Sequence, residues 1–214
     1  MSAEFVEAHF KFPTYFECPI TPKQLSTLAD MPMEGKSSKA RELVRYSGVE
    51  LDENATSPLG LVRQELLNGV PASPGASEFH LDSSNRGEYQ LFYADVWPTE
   101  FASCTVYYAK RFQTLSLFPT HQSAVFRRIE NAVLRRTAFR SHWLQTVHEQ
   151  PKKFEKFLRI EDLSIESRAG AVAIGKIDET LHRSPIVTTT TGGYRFFTTA
   201  FAQEYRHTDA NALK

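Results

Sequence analysis

Hydrophobic and polar residues alternate near the start of the chain. In the stretch 4–13, every second residue from Val6 to Phe12 is apolar, and polar or charged residues stand between them. Alternation with a period of two predicts a half-buried β-strand, and Pro13 marks its end.

The next segment, 14–68, has helical spacing of its apolar residues and is predicted to be helix-rich. Three short helices are expected, each with a residue that favours a helix start and one that favours a helix end. These are Thr21–Pro22 with Pro32, Ser37 or Ser38 with Gly48, and, for the helix at 56–68, Pro58 with Gly69.

A strand-rich segment follows at 78–118. The stretches SEFHL and EYQLFYADVW stand on either side of SSNRG, and this arrangement predicts a β-hairpin. The stretch ASCTVYYAKRFQTLSLF is rich in β-branched and aromatic residues, which predicts one long bent strand or two short ones.

The hydrophobic period becomes helical again in a basic segment at 120–162. Thr120 is placed to cap a long helix that ends at Pro151, and Pro151 is placed to begin a last basic helix. One stripe of the long helix is apolar. It consists of Val125, Phe126, Ile129, Ala132, Val133, Trp143, Leu144 and Val147.

Five arginines lie on this long helix. Arg127, Arg128 and Arg135 project away from the apolar stripe, whereas Arg136 and Arg140 fall within it. Either the helix breaks between 137 and 141, or these two guanidinium groups point inward to meet an anion or a carboxylate.

A C-terminal β-hairpin is predicted at 184–202. Gly192 and Gly193 supply the positive φ angles of a two-residue turn, which would pair 185–191 with 194–201 and place Val187 opposite Thr198. The threonines and aromatic residues suit an exposed hairpin, and they also suit a surface that binds phosphates and stacks bases.

Strands and helices are therefore segregated along the chain. This order predicts an α+β fold in a single domain, 1–214, with a mainly antiparallel sheet, helices packed on one face and the C-terminal hairpin.

Composition and the lack of targeting signals indicate where the protein is located in the cell. The chain is 41% hydrophobic and 12% aromatic, which is ample for a core. No signal peptide or membrane helix is evident, and two cysteines, Cys18 and Cys104, are too few for a disulfide framework. We therefore expect a cytoplasmic protein with free thiols and no membrane association.

The charge is distributed unevenly although it sums to zero. Residues 1–100 contain 15 acids and 8 bases, whereas residues 101–160 contain 3 acids and 11 bases. A clustered basic segment in a neutral chain favours an anionic partner, although it could also pack against the acidic part of the same chain.

Motifs for catalysis are missing. The seven histidines form no recognised metal-ligand spacing, and His80-Leu81-Asp82 alone is a weak signal. No nucleophile elbow, dinucleotide-binding loop or P-loop is present. The sequence therefore predicts neither a metal nor a cofactor, and no catalytic residue is assigned.

The basic helix FRRIENAVLRRTAFR, followed by PIVTTTTGGYRFF, is similar in order and residue type to parts of CRISPR repeat-RNA endonucleases. The resemblance implies a ferredoxin-like core and a role in an RNA-processing or effector complex. The glycine-rich C-terminal loop of that family is absent from this chain.

These observations together predict a nucleic-acid-binding protein, with RNA preferred to DNA, acting as a subunit of a hetero-oligomer. The expected contacts are Arg127, Arg128, Arg135, Arg136, Arg140, Lys152, Lys153, Arg195, Tyr194 and Phe196. Two alternatives are a subunit that docks on an acidic protein surface and a small enzyme that uses a histidine base on an anionic substrate.

Overall fold

A computed structural model of the chain describes residues 5–72, 79–82, 86–109, 143–156, 158–188 and 193–208. Within these residues the helices are α1 (Pro22–Asp30), α2 (Lys36–Arg45), α3 (Trp143–Glu149) and α4 (Pro151–Phe154). The strands are β1 (Phe5–Phe10), β2 (Thr14–Glu17), β3 (Val49–Leu51), β4 (Val62–Leu66), β5 (Tyr89–Ala94), β6 (Glu100–Ala109), β7 (Leu158–Glu166), β8 (Ala171–Lys176), β9 (Leu181–Arg183), β10 (Gly193–Ala202) and β11 (Tyr205–His207).

Two antiparallel sheets form the body of the fold. The larger has the order β2-β8-β5-β10-β4. In the other, β6 pairs with β7 along one edge and with β9 and β1 along the other. A two-stranded sheet of β3 and β11 is separate from both. The predicted α+β class with mainly antiparallel strands is confirmed.

Seven strands and the segment 79–82, which forms an isolated β-bridge at His80, follow a regular pairing scheme. In chain order, the first pairs with the eighth, the second with the seventh, the third with the sixth and the fourth with the fifth. These segments are β4, 79–82, β5, β6, β7, β8, β9 and β10. The scheme is that of a jelly roll, in which two Greek keys produce two facing sheets. It differs from the ferredoxin-like core that the resemblance implied.

Each sheet has helices packed on its outer face. In the larger sheet, Leu91 and Tyr93 point towards α1 and α2, where they join Leu25 and Leu43 in one core cluster. In the smaller sheet, residues of β6, β7 and β9 pack against Leu144, Val147 and Phe154. The sheets meet through a third cluster that includes Phe92 of β5 and Phe101 of β6, whose ring centroids are 5.1 Å apart. The space between the sheets is thus lined by aromatic rings.

Several sequence-based predictions agree with the structure. Thr21 caps α1 through a capping box with Gln24, and Leu25 and Leu28 are buried beneath that helix. Both cysteines are free and buried, and burial raises the pKa of each thiol to about 12. No helix among the described residues is long and apolar enough to cross a membrane.

The helix predicted at 56–68 is wrong, because residues 62–66 form β4. This strand lies at the edge of the larger sheet and pairs with β10 from Val62↔Phe197 to Leu66↔Gly193. Its Arg, Gln, Glu and Leu residues favour a helix intrinsically, but backbone pairing with β10 overrides that preference. The second helix begins before either of the serines expected to cap it, since its N-cap is Gly35 with φ 76°.

The last basic helix is shorter than predicted. It ends at Phe154, and the chain enters β7 at Leu158, where buried Leu158 and Ile160 alternate with exposed Arg159 and Glu161. That alternation has a period of two, which suits a strand with one face on a core. The long helix at 120–150 is described only from residue 143, so its five arginines lie outside the described residues.

The two predicted hairpins have different partners in the structure. Thr198 of β10 pairs with Tyr93, while Val187 donates its backbone NH to the carbonyl of Val70. The expected Val187–Thr198 pairing is therefore wrong, and residues 189–192 lie outside the described residues. Similarly, His80 pairs with His182 rather than with β5. Both errors have one cause: a turn signal gives local pairing, whereas a jelly roll pairs segments that are distant in the chain.

Candidate metal centre

Two short strand segments carry polar residues on the face that looks between the sheets. In 79–82, Phe79 and Leu81 pack into the outer core, so the alternating His80 and Asp82 take the inner face. The same alternation applies in β9, where Leu181 packs outward, and His182 contacts the inward rings of Phe92 and Phe101.

Backbone pairing brings the two segments into register. His80 and His182 exchange both of their backbone hydrogen bonds, with N···O distances of 2.9 and 3.0 Å. Side chains on directly paired residues project to the same face, and the two imidazole centroids are 4.4 Å apart. Asp82 lies two residues beyond His80 on that face, with its Oδ2 3.7 Å from Nε2 of His182.

Together these three residues offer two imidazole nitrogens and one carboxylate oxygen. The ligand atoms all lie within 4.8 Å of one another. Two ligands at right angles on a metal, each about 2.1 Å from it, are about 3 Å apart, so small side-chain rotations would close the cluster around an ion. The donor set and its spacing fit a divalent transition metal.

His182 is held in a form that can bind a metal. Its side chain is 6% exposed, and its Nδ1 lies 3.1 Å from the backbone carbonyl oxygen of Thr180. A carbonyl can only accept, so Nδ1 carries the proton and Nε2 keeps its lone pair. Burial, and then the neighbouring His80, lower the pKa of His182 to about 4, against the opposing effect of Asp82.

Gln90 contacts the carboxylate of Asp82. Its side-chain Nε2 donates a hydrogen bond to Oδ2 of Asp82. Partners of this kind, which orient a metal ligand without touching the metal, are common at metal sites. His182 and Asp82 thus each have a hydrogen-bonding partner outside the set of three candidate ligands.

The predicted nucleic-acid contacts that the structure describes differ in exposure. Tyr194 is 56% exposed and stacks against Arg63, whose guanidinium carbon is 4.4 Å from the ring centroid. Lys152 and Lys153 are exposed on α4. Phe196, by contrast, packs partly into the core beneath α1 and α2.

Arg195 is buried, which corrects its expected role as an exposed phosphate contact. It is 2% exposed and donates to the side-chain oxygen of Gln64 and to the backbone carbonyls of Trp97 and Ala72, at 2.7–3.1 Å. A guanidinium in this position links three parts of the jelly roll.

Sequence reasoning missed the cluster of His80, Asp82 and His182. The His-x-Asp spacing of His80 and Asp82 was visible, but its partner His182 is far away in the chain. The signal that could have found it is the alternation of polar and apolar residues in 79–82 and 181–182. Where the apolar residues of such a segment face the helices, the polar residues must face the space between the sheets.

Comparison of the chain with protein-family models, curated proteins and solved structures gives no match.

Proposed function

We propose that this protein is a non-haem metal enzyme of the iron(II) oxygenase class, with His80, Asp82 and His182 as the metal ligands. The observation that supports it is the convergence of these three side chains, with ligand atoms within 4.8 Å, between the sheets of a jelly roll. A set of two histidines and one carboxylate on one face of a metal, with the other positions open, is typical of such oxygenases. Iron(II) bound there would supply dioxygen activation.

The residues of the chain have defined tasks in this proposal. Thr180 keeps the Nε2 lone pair of His182 available, and the lowered pKa of His182 keeps the imidazole neutral at physiological pH. The rings of Phe92 and Phe101 lie beside His182 and exclude water from that side.

Ligation by only His80, Asp82 and His182 would leave coordination positions on the iron open for a 2-oxo acid and dioxygen. Hydroxylation of a C–H bond by dioxygen takes two electrons from outside the substrate, and oxidative decarboxylation of a 2-oxo acid supplies them, giving carbon dioxide and a carboxylic acid. A 2-oxo acid is therefore the co-substrate class that we propose.

Metal binding is the first test. We expect anaerobic equilibrium dialysis to find one Fe(II) per chain, and His80→Ala, Asp82→Ala and His182→Ala each to weaken binding at least about 100-fold because each removes one of three ligands. His9→Ala is the matched control, since His9 is an exposed histidine on β1 and should leave binding unchanged.

The second part of the test distinguishes the oxygenase from other metal enzymes. With 2-oxoglutarate as the probe, the Fe(II) protein should release carbon dioxide in the presence of dioxygen, and the three ligand variants should not. Binding of Zn(II) with no consumption of dioxygen would contradict the oxygenase class, and absence of any divalent metal binding would contradict the site itself.

We also propose that the basic segment at 101–160 binds an anionic partner, with RNA preferred to DNA. Its net positive charge supports this, as do the exposed side chains of Lys152, Lys153 and Arg159 in its described part. An acidic protein surface is the alternative partner.

A further inference from the structure

We propose that Gln90 is a positioning residue for the metal centre, with two tasks. Its Nε2 fixes the orientation of Asp82, and its Oε1 accepts a hydrogen bond from a water molecule bound to the metal. This inference rests on the proposed function, because it assigns a role to Gln90 only if His80, Asp82 and His182 hold a metal.

The burial of Gln90 is the first observation. Gln90 is on β5 and is 1% exposed, although glutamine is seldom fully buried. It pairs with Phe201 of β10 and Gly175 of β8, and its neighbour Leu91 points to the helices, so the Gln90 side chain points between the sheets. Packing alone would favour an apolar residue at this position.

The second observation is that its two polar atoms are used differently. Nε2 donates to Asp82, whereas Oε1 is buried and has no hydrogen-bond partner among the described residues. A buried acceptor without a partner is destabilising, so this carbonyl needs a donor that those residues do not supply. A metal-bound water is such a donor.

The position of Oε1 fits that role. The oxygen and nitrogen of one amide are both bonded to the same carbon, so Oε1 lies next to the atom that contacts Asp82. The amide contacts Asp82, so a water bound to a metal held by Asp82 is the donor that we assign to Oε1. Since Nε2 occupies one lone pair of Asp82, it also favours binding of the metal through a single carboxylate oxygen.

Cobalt(II) titration tests this role, because the visible spectrum of Co(II) reports the number and arrangement of its ligands. Gln90→Leu removes both polar atoms at similar volume, and Gln90→Met removes them with an unbranched side chain like that of glutamine. We expect both variants to bind Co(II) about 10- to 100-fold more weakly than the unmodified protein and with an altered spectrum.

Thr198→Val is the matched control. Thr198 is equally buried, on the strand next to β5, but its hydroxyl lies 3.3 Å from Ser57 on the helix side of the sheet. This variant loses a buried polar contact without touching the metal centre, so its affinity and spectrum should match those of the unmodified protein.

The outcomes separate the two proposals. If the unmodified protein binds no Co(II) or Fe(II), the proposed function fails. If it binds Co(II) and His80→Ala abolishes binding, but both Gln90 variants keep the original affinity and spectrum, the role of Gln90 is overturned and the metal site stands. Should Gln90→Leu fail to fold, Gln90→Met decides the matter, since its unbranched side chain is closer in shape to glutamine.

Discussion

At His182, the surroundings act on one imidazole in opposite directions. Removal from water and the nearby His80 disfavour the imidazolium, while Asp82 and the carbonyl of Thr180 favour it, and the result is a pKa of about 4. A neutral imidazole is the form that binds metals. The environment that lowers this pKa also makes the metal-free protein sensitive to acid.

We predict that the metal-free protein loses stability as the pH falls below about 6.5. In the unfolded chain His182 takes up a proton near pH 6.5, whereas in the folded protein it remains neutral until about pH 4, so protons favour the unfolded state in this window. The loss between about pH 7 and about pH 5 should be about 2 kcal/mol. Urea unfolding in the presence of EDTA measures it.

His182→Gln is the control for that prediction. It removes the titrating group, so its free energy of unfolding should fall less steeply over the same interval. Equal slopes for the two proteins would show that other groups dominate the acid response.

Gly175 shows how one element depends on another. A Cβ atom built on Gly175 would lie 2.0 Å from Oγ1 of Thr180 and 3.0 Å from its Cβ, so Thr180 occupies the space that a side chain would need. Gly175 also lies opposite Gln90 across β8 and β5. The end of β8 and the turn into β9 therefore fit together only because position 175 lacks a side chain.

We predict that Gly175→Ala destabilises the protein by roughly 1–3 kcal/mol and weakens metal binding, because Thr180 must move and its carbonyl orients His182. Adding Thr180→Ala removes the clashing Oγ1 and should restore part of the stability. Gly193→Ala is the control, since a Cβ atom built on Gly193 would have no described atom within 4 Å. Urea unfolding and Co(II) titration would measure both effects, and equal behaviour of the two single alanine variants would contradict the prediction.

Elements with local signals could be predicted from the sequence. The capping box of Thr21, the strand at Phe5–Phe10 and the strand at Tyr89–Ala94 depend on residues close to one another in the chain. The strand at 62–66 could not, because its identity comes from pairing with β10. Its composition is ambiguous until that partner is present.

On the scale of the whole molecule, pairing between distant segments decides both the fold and the candidate site. The jelly roll joins β4 to β10 and 79–82 to β9, which periodicity and turn signals do not indicate. The three candidate ligands meet through the second of these pairs. The histidines were therefore visible as residues but not as a cluster.

The uneven distribution of charge is also a property of the whole chain. The basic segment at 101–160 permits a test of the nucleic-acid proposal. If the basic segment binds single-stranded RNA, each phosphate contact releases counterions, and the logarithm of affinity falls with the logarithm of salt concentration by about 0.7 per contact. Replacing Arg127, Arg128 and Arg135 by Gln should remove up to about three contacts and flatten this slope by roughly 2. Fluorescence anisotropy of a labelled RNA measures the slope.

The matched control removes the same charge elsewhere. Lys23, Lys36 and Arg45 are exposed on α1 and α2, outside the basic segment, and their replacement by Gln should leave the slope unchanged. Equal flattening of the salt dependence by both triple variants would mean that RNA affinity depends only on the net charge of the protein. If no RNA binds even at low salt, the nucleic-acid proposal is wrong, and the basic segment instead faces an acidic surface, either of another protein or of residues 1–100 in the same chain.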